Sequence, residues 1–291
     1  MNKGVVIIAL GYGIYGGLAF NLALSIKSND PSCNISLIHD TQAISKLKDW
    51  HLQYFDRLIE IPKSDFNVGD HKEFQRAKLL LYKYSPYDYT IYLDADVIWN
   101  PDRSISWLFG TLLDKEFEVC NAGIYDLQRG AFENPKYTLW EDVHRIIKYW
   151  NLSGGRLFMC QTTFMYFKKS DKVKEMFETA LAIYDDKKAP CKVWANGKPD
   201  EYCFNIALHK TGLEPTFIPY VPVYIHGIGG SPNKENMRRK FWAISNCGHK
   251  VDRIITSYYN DLVDYYCTCA NIPDRLYHRD KMSVIPERSK G

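Results

Sequence analysis

No part of this chain is apolar for long. The first apolar run, Gly4 to Leu10, covers seven residues, whereas a membrane-spanning helix needs about 20. A transmembrane segment is therefore not expected. Gly11, Gly13, Gly16 and Gly17 interrupt the start, and no small-residue cleavage site follows an apolar core, so a secretory leader is not expected either. The eight cysteines lack zinc-type spacing, and the closest pair, Cys267 and Cys269, is one residue short of a CxxC. Reduced thiols and a cytoplasmic location are the reading that follows. Internal repeats and low-complexity segments are also missing. What remains is an ordinary globular chain, 46% hydrophobic and 24% charged, whose 291 residues permit one large domain or two.

Strong net charge is lacking as well, since the formal total is only +3. Its distribution is uneven. Residues 234–291 hold eleven Lys or Arg against seven Asp or Glu, so the preceding 233 residues sum to −1. This basic tail also carries Phe241, Trp242, Tyr258, Tyr259, Tyr265, Tyr266 and Tyr277. A basic region interleaved with aromatics suits nucleic acid or an anionic surface, but so small an excess is more simply read as a tail packed on the main domain.

What is present is a repeated alternation of strand and helix. Strands are expected at Gly4 to Leu10, Asn34 to His39, Arg57 to Ile61, Tyr89 to Asp94, Glu116 to Asn121, Cys160 to Lys168, Glu214 to Ile218 and Val221 to His226. Helical patterns separate the early ones, which implies βαβ units and a single, mostly parallel α/β sheet covered on both faces. In Asp171 to Asp185, Val173, Met176, Phe177, Ala180, Leu181 and Tyr184 form a core-facing helical stripe. Tyr125 to Gly155 is a less regular insertion with one helix around Trp140 to Trp150, long enough to act as a lid or acceptor loop.

The chemistry centres on YTIYLDADVIWNPD. An apolar strand from Tyr89 ends in Asp94 and Asp96, and function in parallel sheets sits at the carboxyl ends of strands. Side chains two apart point the same way in extended backbone, so the two carboxylates converge on one ion if the strand continues to Val97. Two hard oxygen ligands are too few for a closed site but suit Mg²⁺ or Mn²⁺ completed by substrate phosphates. A solvated loop with two acids is the plain alternative.

A second signal competes at the amino terminus. Gly11, Gly13 and Gly16 spell GxGxxG between a strand and a helix, with Asp40 ending the next strand, which is the dinucleotide-binding fingerprint of an NAD-dependent oxidoreductase. Tyr12 and Tyr15 are bulky for a turn that approaches a pyrophosphate. The same elements serve a nucleotide whose base stacks on Tyr15, with Asp40 binding a polar part of it.

Together these motifs resemble the GT-A fold glycosyltransferases, most closely the retaining family that includes glycogenin and bacterial lipooligosaccharide galactosyltransferases (family 8-like). The likeness spans roughly residues 4–234. Tyr15 precedes Ser25 and Ile26 as the family's base-stacking tyrosine precedes its Ser-hydrophobic pair, and RAKLLLYKYSPYDYTIYLDAD places Lys78 sixteen residues ahead of Asp94. The strand usually written FNSGVM appears as CQTTFMYF, with Gln161, Thr162 and Thr163 at the Asn, Ser and Gly positions. DQxxxN appears as Asp200, Glu201 and Asn205, and HxxG as His226 and Gly229. Pro232 stands where the family has a pyrophosphate-binding lysine, leaving Lys234 nearest.

The resemblance implies a domain over 1–234 with a basic, helical extension over 235–291. It implies a metal-dependent transferase that moves a sugar from a nucleotide-sugar, a UDP-hexose, with retention. Asp94, Asp96 and His226 would hold Mn²⁺ (or Mg²⁺), while Tyr15, Asp40, Lys78, Gly229 and Lys234 would hold the nucleotide. Asp200, Glu201 and Gln161 would face the sugar. Acceptors compatible with the sequence are a glycan or lipid-linked saccharide, a protein hydroxyl, or a hydroxymethylated DNA base. A sugar-nucleotide nucleotidyltransferase would share the fold class and the paired aspartates.

Overall fold

The computed structural model describes residues 1–68, 71–133, 139–193, 197–215, 222–225, 231–246 and 253–273. The framework is a seven-stranded sheet in the order Arg57–Glu60, Ile35–His39, Lys3–Ala9, Tyr89–Asp94, Arg156–Lys168, Phe117–Asp126, Ala131–Glu133. The first four are parallel neighbours and the remaining three join antiparallel, so five of the seven run in one direction. This is the mostly parallel α/β sheet that the alternating pattern predicts.

The order of strands locates the functional edge. After Lys3–Ala9 the chain builds outward through Ile35–His39 and Arg57–Glu60, then returns to the other side of Lys3–Ala9 with Tyr89–Asp94. Strand order reverses between these two central strands, and a ligand crevice opens at such a switch point, at the carboxyl ends. The register pairs Ile8 with Asp94. The glycine-rich turn at Leu10 and Gly11 therefore lies beside the first aspartate.

Alternation along the central strands divides the core in two. Val5, Ile7, Ala9, Ile91 and Leu93 pack on one face with the helix Gly13–Asn29 and the C-terminal helix Arg253–Cys269. Val6, Tyr92 and Met165 pack on the other with Asp171–Asp185 and Asp200–Thr211. Asp171–Asp185 has the bounds its periodicity predicts, and Ile183 rather than Leu181 completes its buried stripe.

A smaller three-stranded sheet, Val223–Tyr224, Ala243–Ser245 and Val97–Trp99, hangs from the end of the Asp94 strand. Ser25 secures it: its hydroxyl accepts from Trp99 N at 3.0 Å, which ties the first helix to the chain that has just left the aspartates. Three of the tail aromatics are core. Tyr258, Tyr259 and Tyr266 are buried, with Asn29 Nδ2 donating to Tyr266 Oη at 2.9 Å and Tyr266 Oη to the Trp99 carbonyl at 2.8 Å. The helix Arg253–Cys269 is thus part of the same apolar cluster as the first strand, and no helix among the described residues is long and apolar enough to cross a membrane.

The glycines of the GxGxxG motif have local explanations. Gly11 has φ +81°, and a Cβ there would lie 2.1 Å from the Phe74 ring; a Cβ on Gly16 would lie 2.2 Å from the Ala43 carbonyl oxygen. Close packing within the chain accounts for both. Gly16→Ala is expected to destabilise by about 1–3 kcal/mol, because a buried helix must move off a carbonyl. Gly110, in the helix Ile105–Leu112, has nothing within 4 Å of an added Cβ, and its Ala variant should gain about 0.5–1 kcal/mol from helix propensity. Urea unfolding of the two variants checks this contrast, and equal midpoints would contradict it.

Candidate active site

Asp94 is the last residue of its strand, and the chain then makes a two-residue turn through Ala95 and Asp96 before Val97 enters the second sheet. The expected continuous strand through Val97 is not observed. The change of sheet breaks it, because Val97 pairs with Ser245 and the Asp96 carbonyl accepts from Asn246 N at 3.0 Å. The two carboxylates thus flank a tight turn at the sheet's edge, both partly exposed.

Lys78 gathers the acids. It ends the short helix Phe74–Lys78, which breaks before a second short helix, Leu81–Tyr84. Its ammonium lies 2.8 Å from Asp94 Oδ1 and 3.3 Å from Asp200 Oδ2, donates to Thr162 Oγ1 at 3.3 Å and sits 5.6 Å from the centre of the Tyr92 ring. Burial opposes the charge, but Asp200 and Asp94 outweigh it and hold the Lys78 pKa well above the ordinary lysine value. Tyr92 Oη donates to Asp94 Oδ1 at 2.5 Å; burial first, then Asp94, keep that phenol protonated.

Asp200 and Glu201 open the helix Asp200–Thr211 after Pro199, where a carboxylate also complements the helix dipole. Asp200 is only 6% exposed, and Thr162 Oγ1 donates to its Oδ2 at 2.5 Å. Glu201 is 7% exposed, and the Trp140 indole donates to its Oε2 at 2.6 Å. Burial, followed by the neighbouring Asp200, pushes its carboxyl up to about 8. Trp140 holds this position with φ +65°, a left-handed conformation that costs a bulky residue about 1–3 kcal/mol. Asn205 Oδ1, one turn on, accepts from Cys160 N at 2.8 Å and locks the helix to the strand carrying Gln161 and Thr162. Gln161 itself turns its Oε1 to Thr163 N at 2.8 Å.

Other expected positions lie elsewhere. Asp40 sits beneath the glycine-rich turn, where its Oδ1 accepts from Gly11 N at 3.0 Å and Ala43 N at 2.9 Å, so it clamps the turn and caps the helix Thr41–Ile44. Lys234, expected at a pyrophosphate, is drawn to the C-terminal helix, with Nζ 2.6 Å from Asp261 Oδ2 and 2.8 Å from Ser257 Oγ. Tyr15 is half-buried against the core, whereas Tyr12, at the helix N-cap, is 42% exposed, 6.5 Å from Tyr15 and 6.2 Å from Phe74 between ring centres. His226 and Gly229 lie outside the described residues.

The sequence does not single out Tyr92, Trp140 or Asn246 as site residues. Asn246 is fully buried, directly across the small sheet from Asp96, and its amide has no hydrogen-bond partner among the described residues. Only the DxD spacing pointed near it. Among the described residues no three His, Cys, Asp or Glu side chains group as a metal set. The donor chemistry at the Asp94–Asp96 turn nonetheless fits a hard divalent cation, since it presents two carboxylates at a partly open edge.

The sequence matches no protein-family model and no curated relative. Solved structures do match. The WbbM bifunctional glycosyltransferase aligns over 97% of this chain and 52% of its own, with 15% identity and a TM-score of 0.55. An active-site mutant of LgtC aligns over 90% and 95%, with 16% identity and a TM-score of 0.54. The fold is that of the GT-A glycosyltransferases. Mouse xyloside xylosyltransferase 1 shares it over 86% of this chain and all of its own, at 10% identity and a TM-score of 0.52. The chain thus spans about half the length of WbbM and nearly all of LgtC.

In a GT-A frame the Lys78 cluster occupies the switch point where the fold binds ligands. Replacing Lys78 by Met leaves Asp94 and Asp200 facing one another without a cation, at a cost of about 3–5 kcal/mol. Thermal and urea unfolding of Lys78→Met check this. A variant as stable as the parent would mean that the ammonium does not hold the two acids.

Proposed function

We propose that the chain is a glycosyltransferase that moves a hexose from a nucleoside-diphosphate sugar, a UDP-sugar, to a saccharide acceptor. The observation that carries this reading is the joining of Asp94 and Asp200 by one ammonium, in a GT-A fold, at the switch point between the central strands. Asp94 and Asp96, with His226 as third ligand, would hold Mn²⁺ or Mg²⁺. When bound, such an ion supplies positive charge to the diphosphate as the nucleotide departs.

The residues of the chain do the rest. Tyr12, exposed beside Tyr15 and Phe74, offers an aromatic face to the base. Lys78 bridges Asp94 and Asp200 and adds charge opposite the phosphates. Asp200, fixed by Lys78 and Thr162, steadies the positive charge that grows at the anomeric carbon as the bond to the diphosphate lengthens. Gln161, on the adjoining strand, lines the same end of the sheet. Retention of configuration follows if the acceptor enters from the side the nucleotide leaves.

A saccharide acceptor is favoured over DNA by the burial of Tyr258, Tyr259 and Tyr266, which takes three of the seven tail aromatics out of reach of a nucleic acid. The test is a donor screen by UDP release with Mn²⁺ against saccharide and modified-DNA acceptors. Asp94→Ala should lower kcat/KM at least about 100-fold, the equivalent of about 3 kcal/mol of charge stabilisation. Pyrophosphate as the product, or undiminished UDP release by Asp94→Ala, would overturn the reading.

A further inference from the structure

Among the described residues the site holds more carboxylates than cations. Asp94 and Asp200 share the ammonium of Lys78, and Glu201 follows Asp200 directly on the helix, 93% of its surface covered. If Glu201 were also ionised, three buried or half-buried anions would face one cation. Desolvation and like charge both oppose that state. The groups that face Glu201 from the packed elements are Asp200 on its own helix, Lys78 on Phe74–Lys78, Asp94 at its strand end, Cys160 on Arg156–Lys168, and Trp140. Burial, first, keeps the Cys160 thiol protonated, so it supplies no charge of either sign.

One of these groups sets which oxygen is which. The Trp140 indole can only donate, so its 2.6 Å bond makes Glu201 Oε2 an acceptor. Trp140 reaches it from a left-handed backbone conformation that its side chain does not favour, with its carbonyl accepting from Lys192 N at 3.0 Å. The strain is held in place at the point of contact with Glu201.

We propose that Glu201 is a neutral carboxylic acid in the resting protein, with Oε2 fixed as acceptor by Trp140 and the proton on Oε1, where it is a hydrogen-bond donor to a hydroxyl or ring oxygen of the bound sugar. The role towards sugar rests on the function proposed above; the protonation state does not. Two carboxyls adjacent in sequence then have opposite tasks. Asp200 is the anion that meets developing positive charge, and Glu201 is the donor that orients the sugar. The shift of its carboxyl to about 8 is consistent with this division.

The sign of the pH dependence follows. A glutamate whose folded pKa lies near 8 against an ordinary 4.5 weakens the fold progressively as pH rises from about 4.5 to about 8, because only the unfolded chain ionises freely. Glu201→Gln keeps the neutral shape and an oxygen for Trp140, and removes that penalty. Its melting temperature should equal that of the parent near pH 4.5 and exceed it by several degrees at pH 8. Infrared difference spectra of parent minus Glu201→Gln should show an un-ionised carboxyl band at pH 7 that fades as pH rises through about 8. Trp140→Phe removes a bond that favours the ionised form, so the same band should persist to higher pH.

Neither readout needs a donor or acceptor, so they stand or fall apart from the proposed activity. In turnover, the parent's kcat/KM should fall tenfold per pH unit above about 8, and the Glu201→Gln profile should lack that limb. Absence of the carboxyl band at pH 7, or parallel melting curves from pH 4.5 to 8 for parent and Glu201→Gln, overturns the proposal whatever the activity. Should Glu201→Gln fail to fold, an unmoved or downward-shifted band in Trp140→Phe does the same.

Discussion

The site depends on one shared cation. Lys78 takes Asp94 from the end of a central strand and Asp200 from the start of a helix 106 residues later, and holds both within 3.3 Å of one nitrogen. Among the described residues neither acid pairs with another cation. Other contacts build on this pair of bonds. Thr162 lies between the ammonium and Asp200, Tyr92 closes on the same Asp94 oxygen, and Asn205 fixes the helix that presents Asp200. The strand ends could pack without Lys78, but the carboxylates would repel one another across the crevice instead of converging on it.

This arrangement places unequal demands on neighbouring groups. Once Lys78 is matched to two carboxylates, a third buried acid has no further cation of its own among the described residues and is pushed towards its neutral form. The order of residues therefore decides chemistry as much as their identity does. Asp200 and Glu201 differ by one methylene, yet one accepts from Thr162 and pairs directly with Lys78 while the other accepts from the Trp140 indole.

Much of the frame was legible in the sequence, for stated physical reasons. Asp171–Asp185 was recoverable to the residue because its apolar positions repeat at the helical period and Ser170 caps it. The strand before Asp94 was legible because it is buried on both faces. Side-chain destinations were harder. GxGxxG looks like a phosphate loop until Phe74 and Ala43 are seen to fill the space beside Gly11 and Gly16, and Asp40 proves to cap backbone amides there. Lys234 has the right charge near the right motif, but Asp261, 27 residues away, takes it, and spacing along the chain cannot report that pairing. Trp140 carried no local signal at all, since its importance lies in a left-handed φ and a contact 61 residues distant. From composition alone the C-terminal aromatics suited either an anionic partner or packing on the main domain, the simpler reading, and three of their rings are buried, Tyr259 meeting Asn21 of the first helix and Tyr266 the Trp99 carbonyl of the small sheet.

The central claim is that the crevice at the Asp94–Asp96 turn receives a metal and a nucleoside diphosphate alongside the Lys78 cluster. Anomalous diffraction at the manganese edge, from crystals of the full chain grown with UDP and Mn²⁺, tests it most directly. The account predicts one strong peak bound by Asp94 and Asp96, with the diphosphate on it and the uracil against Tyr12. A peak elsewhere, or UDP bound away from that turn, would contradict it.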